Sequence, residues 1–181
     1  AKGLLTILND ILDFSKIEAG RLELETAEFS LRQCVDGVVD LFFPRAYERG
    51  VELVALVRPH VPDRLIGDGT RVRQVLLNLV GNAVKFTDHG SIRVEVGISS
   101  TPGADGHTGI EFRVIDTGIG IPKERRDLFQ PFVQLDGSVA RRANGTGLGL
   151  AISNQLAALM GGSLAVESEL ARGSTFTFRA S

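Results

Sequence analysis

Two asparagines and a lysine occupy one side of a segment whose neighbouring side is apolar. The spacing of the apolar residues predicts a helix from about Thr70 to Phe86, with Asp68 as its N-terminal cap. Four polar residues fall along one line of that helix: Gln74, Asn78, Asn82 and Lys85. Asparagine is a poor helix former, so two of them one turn apart cost stability and indicate a task such as ligand binding. The alternative is that both amides bond to neighbouring backbone groups.

A carboxylate stands where a predicted strand enters a glycine-rich turn. The strand covers about Gly109 to Asp116, and the turn continues with Gly118, Gly120, Ile121 and a proline. An aspartate at a strand end can accept hydrogen bonds from a ligand amine, while glycines let the backbone approach the ligand closely. A plain turn with aspartate as the turn former explains the same pattern equally well.

A second glycine-rich segment, residues 145–149, leads directly into a predicted helix that ends near Met160. Unpaired N–H groups at a helix start, together with the helix dipole, favour a phosphate group. Arg141 and Arg142 lie just upstream and could add positive charge. The glycine spacing differs from both the dinucleotide fingerprint and the P-loop.

The composition suits one globular domain, or one domain with a short attachment. The 181 residues are 43% hydrophobic, which excludes collagenous, disordered and disulfide-scaffold proteins. The 20 Lys and Arg residues nearly balance 22 Asp and Glu residues, so the composition predicts no nucleic-acid partner. The single cysteine, Cys34, reads as a small buried residue, and no apolar run reaches the length of a membrane span.

The remaining elements must position these three groups. An amphipathic helix is predicted over Leu4–Ile17, and Ser30 with Gln33 resembles a capping box that opens a helix to about Tyr47. A further short helix is expected over residues 122–129. Strands are predicted over residues 21–25, 51–57, 91–98, 109–116, 163–168 and 174–179. Helices mixed with mostly hairpin-connected strands predict an α+β two-layer sandwich, a mixed, mostly antiparallel sheet covered on one face by helices.

The three groups occur together in the order found in sensor histidine kinases, and the chain resembles that family over almost its whole length. Residues 78–86 resemble the N box, 116–120 the G1 box, 128–132 the F box, 145–149 the G2 box and 173–176 the terminal strand motif. The resemblance implies the Bergerat ATP-binding fold shared with gyrase, Hsp90 and MutL. Residues 21–181 would be the ATP-binding catalytic domain, and residues 1–20 the end of the dimerisation and phosphoacceptor hairpin, seen here as an N-terminal helix stub.

The resemblance also implies residue roles, with ATP and Mg²⁺ as cofactors. Asp116 would accept a hydrogen bond from the adenine amine, and Phe86 would line the pocket. Asn82 would ligate Mg²⁺ and Lys85 would reach the phosphates, and these two residues would be catalytic. Further nucleotide-binding residues would be Asn78, Gly118, Gly120, Ile121, Phe132, Arg141, Arg142, Gly145, Thr146, Gly147, Leu148, Gly149 and Thr175. The glycines of the G2 box would close an ATP lid, and residues 134–145 are expected to be its mobile part.

Asn78 and the histidines bear on where the phosphoryl group goes. ATP-hydrolysing relatives carry a glutamate at the position of Asn78, and an amide cannot act as that base, so transfer to a protein is expected rather than hydrolysis. His60, His89 and His107 are not followed by Glu or Asp as the family's acceptor is, so the acceptor is expected upstream of this sequence. The resemblance further implies a homodimeric parent, with its own hairpin and a response regulator receiver domain as partners. An ATP site and a lone thiol predict a cytoplasmic location.

Two other functions fit parts of the same sequence. The chain could be a nucleotide-binding regulatory module with little phosphotransfer activity. Alternatively, two apolar residues followed by Asp116-Thr117-Gly118 resemble an aspartic protease half-site, which needs a second facing aspartate. The protease hypothesis leaves the helix of Asn82 and the glycine segment 145–149 unexplained.

Overall fold

The computed structural model describes residues 2–100, 108–122, 125, 127–133 and 146–181, with side chains from Ile7 onward in the first helix. The helices are α1 (Lys2–Glu18), α2 (Leu31–Glu48), α3 (Gly69–Phe86) and α4 (Gly149–Leu159). The strands are β1 (Ala27–Ser30), β2 (Val51–Val57), β3 (Arg64–Gly67), β4 (Gly90–Ile98), β5 (Ile110–Asp116), β6 (Ser163–Glu169) and β7 (Gly173–Ala180). None of the described helices combines the length and apolarity that crossing a bilayer requires.

Five strands form one mixed sheet in the order β2-β4-β5-β7-β6, and β1 pairs with β3 in a separate two-stranded sheet. β2 runs parallel to β4, and the other three pairings are antiparallel. Helices α2, α3 and α4 pack against β2, β5 and β6 respectively. The predicted α+β sandwich is therefore confirmed.

The alternation along β5 explains why helices cover one face of the sheet. Phe112, Val114 and Asp116 are buried toward the helices, whereas Glu111 and Arg113 point to the other face. The Phe112 ring stacks on a phenylalanine of β7 with centroids 5.2 Å apart, in the middle of the core. The last buried residue of this strand is the carboxylate Asp116. The alternation that forms the core face therefore also places this carboxylate at the site.

Both predicted helix caps are formed. Ser30 Oγ accepts a hydrogen bond from the Gln33 N–H at 3.2 Å at the start of α2. Asp68 Oδ1 accepts from the Arg71 N–H at 2.9 Å at the start of α3. These side chains satisfy N–H groups that a helix start leaves unpaired. Cys34 is buried in the core as predicted, and burial raises the pKa of its thiol.

Two element predictions are wrong. Residues 21–26 form no strand; Leu22 and Leu24 pack on the core and the residues between and beside them are exposed, which produces the same alternation. Over 122–129 none of the described residues is helical: residues 127–129 form a turn, and the Arg125 N–H bonds to the Pro122 carbonyl at 3.1 Å. Residues 123, 124 and 126 of the predicted helix lie outside the described residues. The sequence does not predict the four residues of β3, because the prolines before them indicate only a break.

Candidate functional site

The polar line on α3 divides between two neighbouring helices. Gln74 Nε2 donates to Asp13 Oδ2 of α1 at 2.7 Å. Asn78 Nδ2 donates to Ser153 Oγ of α4 at 2.9 Å, and Asn82 Nδ2 donates to Asn78 Oδ1 at 3.5 Å. Both asparagine amides thus bond to side chains. Among the described residues neither bonds to a backbone group, as the alternative to ligand binding would require.

Asn78, Asn82, Gly149 and Ser153 together form what we call the α3–α4 seam. A Cβ atom on Gly149 would collide with the amide oxygen of Asn78 and lie 2.9 Å from its Cγ. Glycine at this position therefore lets α4 approach α3 closely enough for Ser153 to reach the amide. Ser153 is only 2% exposed, and no pattern in the sequence indicates a role for it.

The Asn82 carbonyl oxygen is the group in the seam that could hold a metal ion. Among the described residues, nothing donates a hydrogen bond to Asn82 Oδ1, while its Nδ2 is directed at Asn78. Side-chain carbonyl oxygens suit Mg²⁺, which usually keeps waters and phosphate oxygens as its other ligands. The described residues contain no group of three or more His, Cys, Asp or Glu side chains that could form a protein-only site. Asn82 therefore fits a metal ion brought in with phosphates.

Lys85 provides a positive charge near the end of α3. Its ammonium lies 5.0 Å from the centroid of the Phe86 ring, a cation–π distance. Burial, and then the nearby charge of Arg45 on α2, lower the pKa of Lys85 from its ordinary value. Because both causes disfavour the ammonium, an anion placed beside it would be stabilised and would restore the pKa.

Asp116 is a buried carboxylate with backbone donors around it. It is 7% exposed, and its Oδ1 accepts the Gly118 N–H at 2.8 Å. Burial raises the pKa of Asp116, and hydrogen bonds from the backbone N–H groups of Gly118 and Ser174 offset part of that rise. A buried acceptor already oriented by two donors can accept a third from a ligand amine.

The turn of residues 116–121, here called the Asp116 turn, is bonded to three neighbours. The Ile119 N–H donates to the Phe86 carbonyl at the end of α3 at 3.2 Å, and the Ile119 carbonyl accepts the Ala171 N–H at 2.7 Å. The Ile121 N–H donates to Ser168 Oγ of β6 at 2.8 Å. Helix α3 and the β6–β7 connection thus fix the turn from both sides.

Two glycines of the Asp116 turn have no room for a side chain. A Cβ on Gly118 would collide with the Phe86 carbonyl oxygen and lie 2.9 Å from both Asp116 Oδ1 and Thr87 Oγ1. Gly120 has a φ of +68°, and a Cβ there would meet the Glu169 carbonyl. The close backbone approach expected from these glycines is therefore toward the protein itself.

The register of β5 and β7 separates Thr175 from Asp116. Asp116 pairs with Ser174, and Thr175 pairs with Ile115, so Thr175 lies on the opposite face of the sheet. Ser174 is buried on the same face as Asp116, with its hydroxyl 2.8 Å from Ser168 Oγ. The structure thus places Ser174, and not Thr175, on the face of the sheet that carries Asp116.

Thr87 is a second residue that the sequence did not indicate. Its side chain follows α3 directly and is fully buried beside Gly118. Thr87 Oγ1 has no hydrogen-bond partner among the described residues. A hydrophobic-to-polar pattern cannot find such a group, because threonine at a helix end normally signals only the end itself.

The start of α4 leaves backbone N–H groups without a side-chain cap. Leu148, the residue before the helix, has no capping bond, and it is itself 1% exposed in the core. Thr146 Oγ1 accepts the Leu148 N–H at 3.2 Å. Gly147 has a φ of +72°, which favours glycine. Among the described residues, no side chain caps the first turn of α4, so its N–H groups could bind an anion.

Helix α1 lies against this end of the site. The Phe14 and Phe132 rings meet edge to face with centroids 6.4 Å apart, although Phe132 is 68% exposed and has a φ of +63°. The Phe132 contact in the structure is therefore with α1. Burial, and then Asp13, raise the pKa of Asp10, while a hydrogen bond from the Thr146 hydroxyl lowers it.

Three predicted site residues, Arg141, Arg142 and Gly145, lie outside the described residues, as does the expected lid of residues 134–145. Asn78, Asn82, Lys85 and Phe86 share α3. The Asp116 turn meets the end of that helix, and the α3–α4 seam lies further back along it.

Comparison with known proteins agrees with this geometry. Residues 67–181 match the family described as histidine kinase-, DNA gyrase B-, and HSP90-like ATPase. The chain is 47% identical over 182 residues to the signal transduction histidine-protein kinase BarA of Escherichia coli strain K12. That alignment covers 98% of this chain and 19% of BarA, so the chain spans about a fifth of its relative.

Two solved structures are similar over most of the chain. Full-length ShkA in complex with AMPPNP superposes with a TM-score of 0.83 at 36% identity, covering 98% of this chain and 35% of ShkA. The catalytic domain of histidine kinase ThkA, in a nucleotide-free form, gives a TM-score of 0.68 at 29% identity, covering 86% of this chain and 97% of ThkA. With the match of residues 67–181, these findings show that the chain belongs to the family of histidine kinase-, DNA gyrase B- and HSP90-like ATPases and carries the domain of the sensor histidine kinase type.

Proposed function

We propose that the chain is the ATP-binding catalytic part of a two-component sensor histidine kinase and that it binds ATP with Mg²⁺. The observation that carries this proposal is the buried Asp116 carboxylate, oriented by the Gly118 N–H at 2.8 Å at the end of the helix that holds Asn82 and Lys85. A carboxylate acceptor suits the adenine amine, and an ammonium with a free amide oxygen suits phosphates and a hard cation. Family membership argues against the protease half-site.

The domain division and the partners are also part of this proposal. Residues 21–181 would form the ATP-binding domain, and residues 1–20 would belong to the dimerisation and phosphoacceptor hairpin of a homodimer. Exposed apolar side chains on α1 support the hairpin assignment because they lack a partner among the described residues: Ile7, Leu8, Ile11 and Leu12. A receiver domain would take the phosphoryl group onward, and the cytoplasmic location stays a prediction.

Nucleotide titration tests the binding roles. Asp116→Ala should abolish ATP and ADP binding alike, because it removes the acceptor for the adenine amine that both ligands share. Asn82→Ala should mainly weaken Mg²⁺-dependent ATP binding. Asp40→Ala, an exposed change on α2, is the control and should bind as the unchanged chain does. Equal loss of metal-free ADP binding in the Asp116 and Asn82 variants would contradict the assigned roles.

Phosphotransfer would join the γ-phosphoryl group to an imidazole nitrogen as ADP leaves. Lys85 would stabilise the phosphate charge during that step, and the Asn78 amide would not activate water. The chain alone should therefore bind ATP and gain no acid-labile label from γ-labelled ATP. Adding a hairpin that carries a matching histidine should restore the label. Robust acid-labile label on His60, His89 or His107 would refute the proposed acceptor.

A further inference from the structure

The amide of Asn78 has a seat built by two residues of α4 that are one turn apart. Gly149 lies against the amide oxygen, and Ser153 Oγ accepts a hydrogen bond from Asn78 Nδ2 at 2.9 Å. Ser153 is 2% exposed, so its oxygen acts on Asn78 and not on solvent. The roles assigned above to Asn78 and Asn82 do not include this hydroxyl.

The seat determines which way two amides point. Because Ser153 takes the NH₂ group of Asn78, the Asn78 oxygen faces Asn82, and it accepts Asn82 Nδ2 at 3.5 Å. That bond in turn directs Asn82 Oδ1 away from Asn78, as a free acceptor. If Asn78 were inverted, its NH₂ would face the NH₂ of Asn82, and one amide would have to turn to recover a hydrogen bond.

We propose that Ser153 is a positioning residue that acts through Asn78 to present the Asn82 carbonyl oxygen to the metal ion of a bound nucleotide. This inference rests on the proposed function, because it assigns the metal-binding oxygen to Asn82. Groups that orient a metal ligand commonly change metal affinity by about 10-fold to 100-fold when they are removed. Ser153 should therefore affect the metal-dependent part of the nucleotide affinity, although it would contact neither the metal nor the nucleotide.

The test is Ser153→Ala in the full chain, with ATP and ADP titrated by calorimetry in Mg²⁺ and in EDTA. We expect the gain in ATP affinity that Mg²⁺ provides to fall by about 10-fold, while metal-free ADP affinity stays unchanged. Ile152→Val is the matched control, because it removes one methylene from the adjacent buried residue of α4 and leaves the seat intact. It should lower stability without changing the effect of Mg²⁺.

A second variant and a second readout distinguish the positioning role of Ser153 from a folding defect. Ser153→Cys keeps the shape of the side chain, slightly enlarged, but offers a weaker acceptor, so it should give an intermediate loss of the Mg²⁺ effect. In the nucleotide-free chain, the side-chain NH₂ resonances of Asn78 and Asn82 should shift in Ser153→Ala and remain in place in Ile152→Val.

The outcomes separate the two proposals. If the unchanged chain gains no ATP affinity from Mg²⁺, the proposed function fails. If it does gain affinity, and Ser153→Ala keeps the full Mg²⁺ effect or loses metal-free ADP binding equally, the positioning role of Ser153 is refuted.

Discussion

The Asp116 turn and the α3–α4 seam, at the two ends of the proposed nucleotide site, are held by different groups. The Asp116 turn is fixed by backbone groups, such as the bonds that Ile119 makes to Phe86 and Ala171. The seam is fixed by side chains that meet between separate helices, as in the bond from Asn78 to Ser153. Changes in the turn should therefore affect fold and binding together, whereas changes in the seam should affect binding with less cost to the fold.

The largest effect is expected from Gly118→Ala. The new Cβ would collide with the Phe86 carbonyl and crowd Asp116 Oδ1 and Thr87 Oγ1, both at 2.9 Å. We expect loss of measurable nucleotide binding and a fall of about 2 kcal/mol or more in the free energy of unfolding, measured by urea titration. Gly97→Ala is the control, because its Cβ would meet only the Arg58 side chain at ordinary distances. A stable Gly118 variant with normal ATP affinity would contradict the comparison.

The second largest effect is expected from acidification, which should weaken the contact between Asp116 and the nucleotide. The raised pKa of Asp116 means that its carboxylate takes up a proton at a higher pH than an ordinary aspartate. A protonated carboxyl loses its acceptor role, so nucleotide affinity should fall as the pH falls toward that pKa. In the apo chain the sign is opposite: the stability that Asp116 contributes is full below its unfolded pKa and is lost as the pH rises through the folded pKa.

Calorimetry at several pH values measures the first effect, and Asp116→Asn is its control. The asparagine variant should bind weakly at every pH, because its amide cannot offer acceptors to both the Gly118 N–H and a ligand amine on opposite sides. A wild-type affinity that is independent of pH down to the ordinary pKa of 3.8 would remove Asp116 from the ligand contact.

Lys85→Met should have a smaller effect that leaves the fold intact. Its ammonium is already disfavoured by burial and by Arg45, so removing it costs the apo chain little. We expect ATP affinity to fall by about 10-fold, in line with the loss of one charge-assisted contact to phosphate. In the unchanged chain, affinity should decline as the pH rises through the lowered pKa of Lys85. Thermal unfolding without nucleotide is the control, and a large drop in the melting temperature would show that Lys85 is structural.

The smallest effect should come from the ion pair that joins α1 to α3. Arg71 Nη1 lies 3.0 Å from Asp13 Oδ2, and both side chains are mostly buried, at 22% and 17% exposure. A double-mutant cycle with Arg71→Met and Asp13→Asn should give a coupling of about 1 kcal/mol in urea unfolding. The exposed Arg64–Glu28 pair is the matched control and should give a coupling near zero. Equal couplings would mean that burial at α1 has no energetic role.

The parts of the site that depend on local patterns could be predicted from the sequence. The caps at Ser30 and Asp68 and the polar line of α3 follow from short spacings, and the structure contains all of them. The boundaries of α3 differ by a single residue from the prediction. Local interactions determine these features, and tertiary packing favours the same structure as the local preferences do.

The parts of the site that depend on strand register or on contacts between distant elements could not be predicted from the sequence. Whether Ser174 or Thr175 shares a face with Asp116 depends on how β5 pairs with β7, and a shift of one residue would exchange them. Ser153 matters only because α4 packs on α3, a contact between residues 75 positions apart in the chain. No spacing within either helix contains that information.

The strand order has a consequence for how the chain folds. β2 lies at the sheet edge and is parallel to β4, so a short turn cannot join the two strands. The connection between them contains β3 and all of α3, which must cross the sheet before β2 can pair. Local hairpins such as β6–β7 can close early, whereas the edge strand waits for the helix that carries Asn78 and Asn82. We therefore expect completion of the sheet and assembly of the proposed site to occur late and together, so that a variant that slows the docking of α3 delays both.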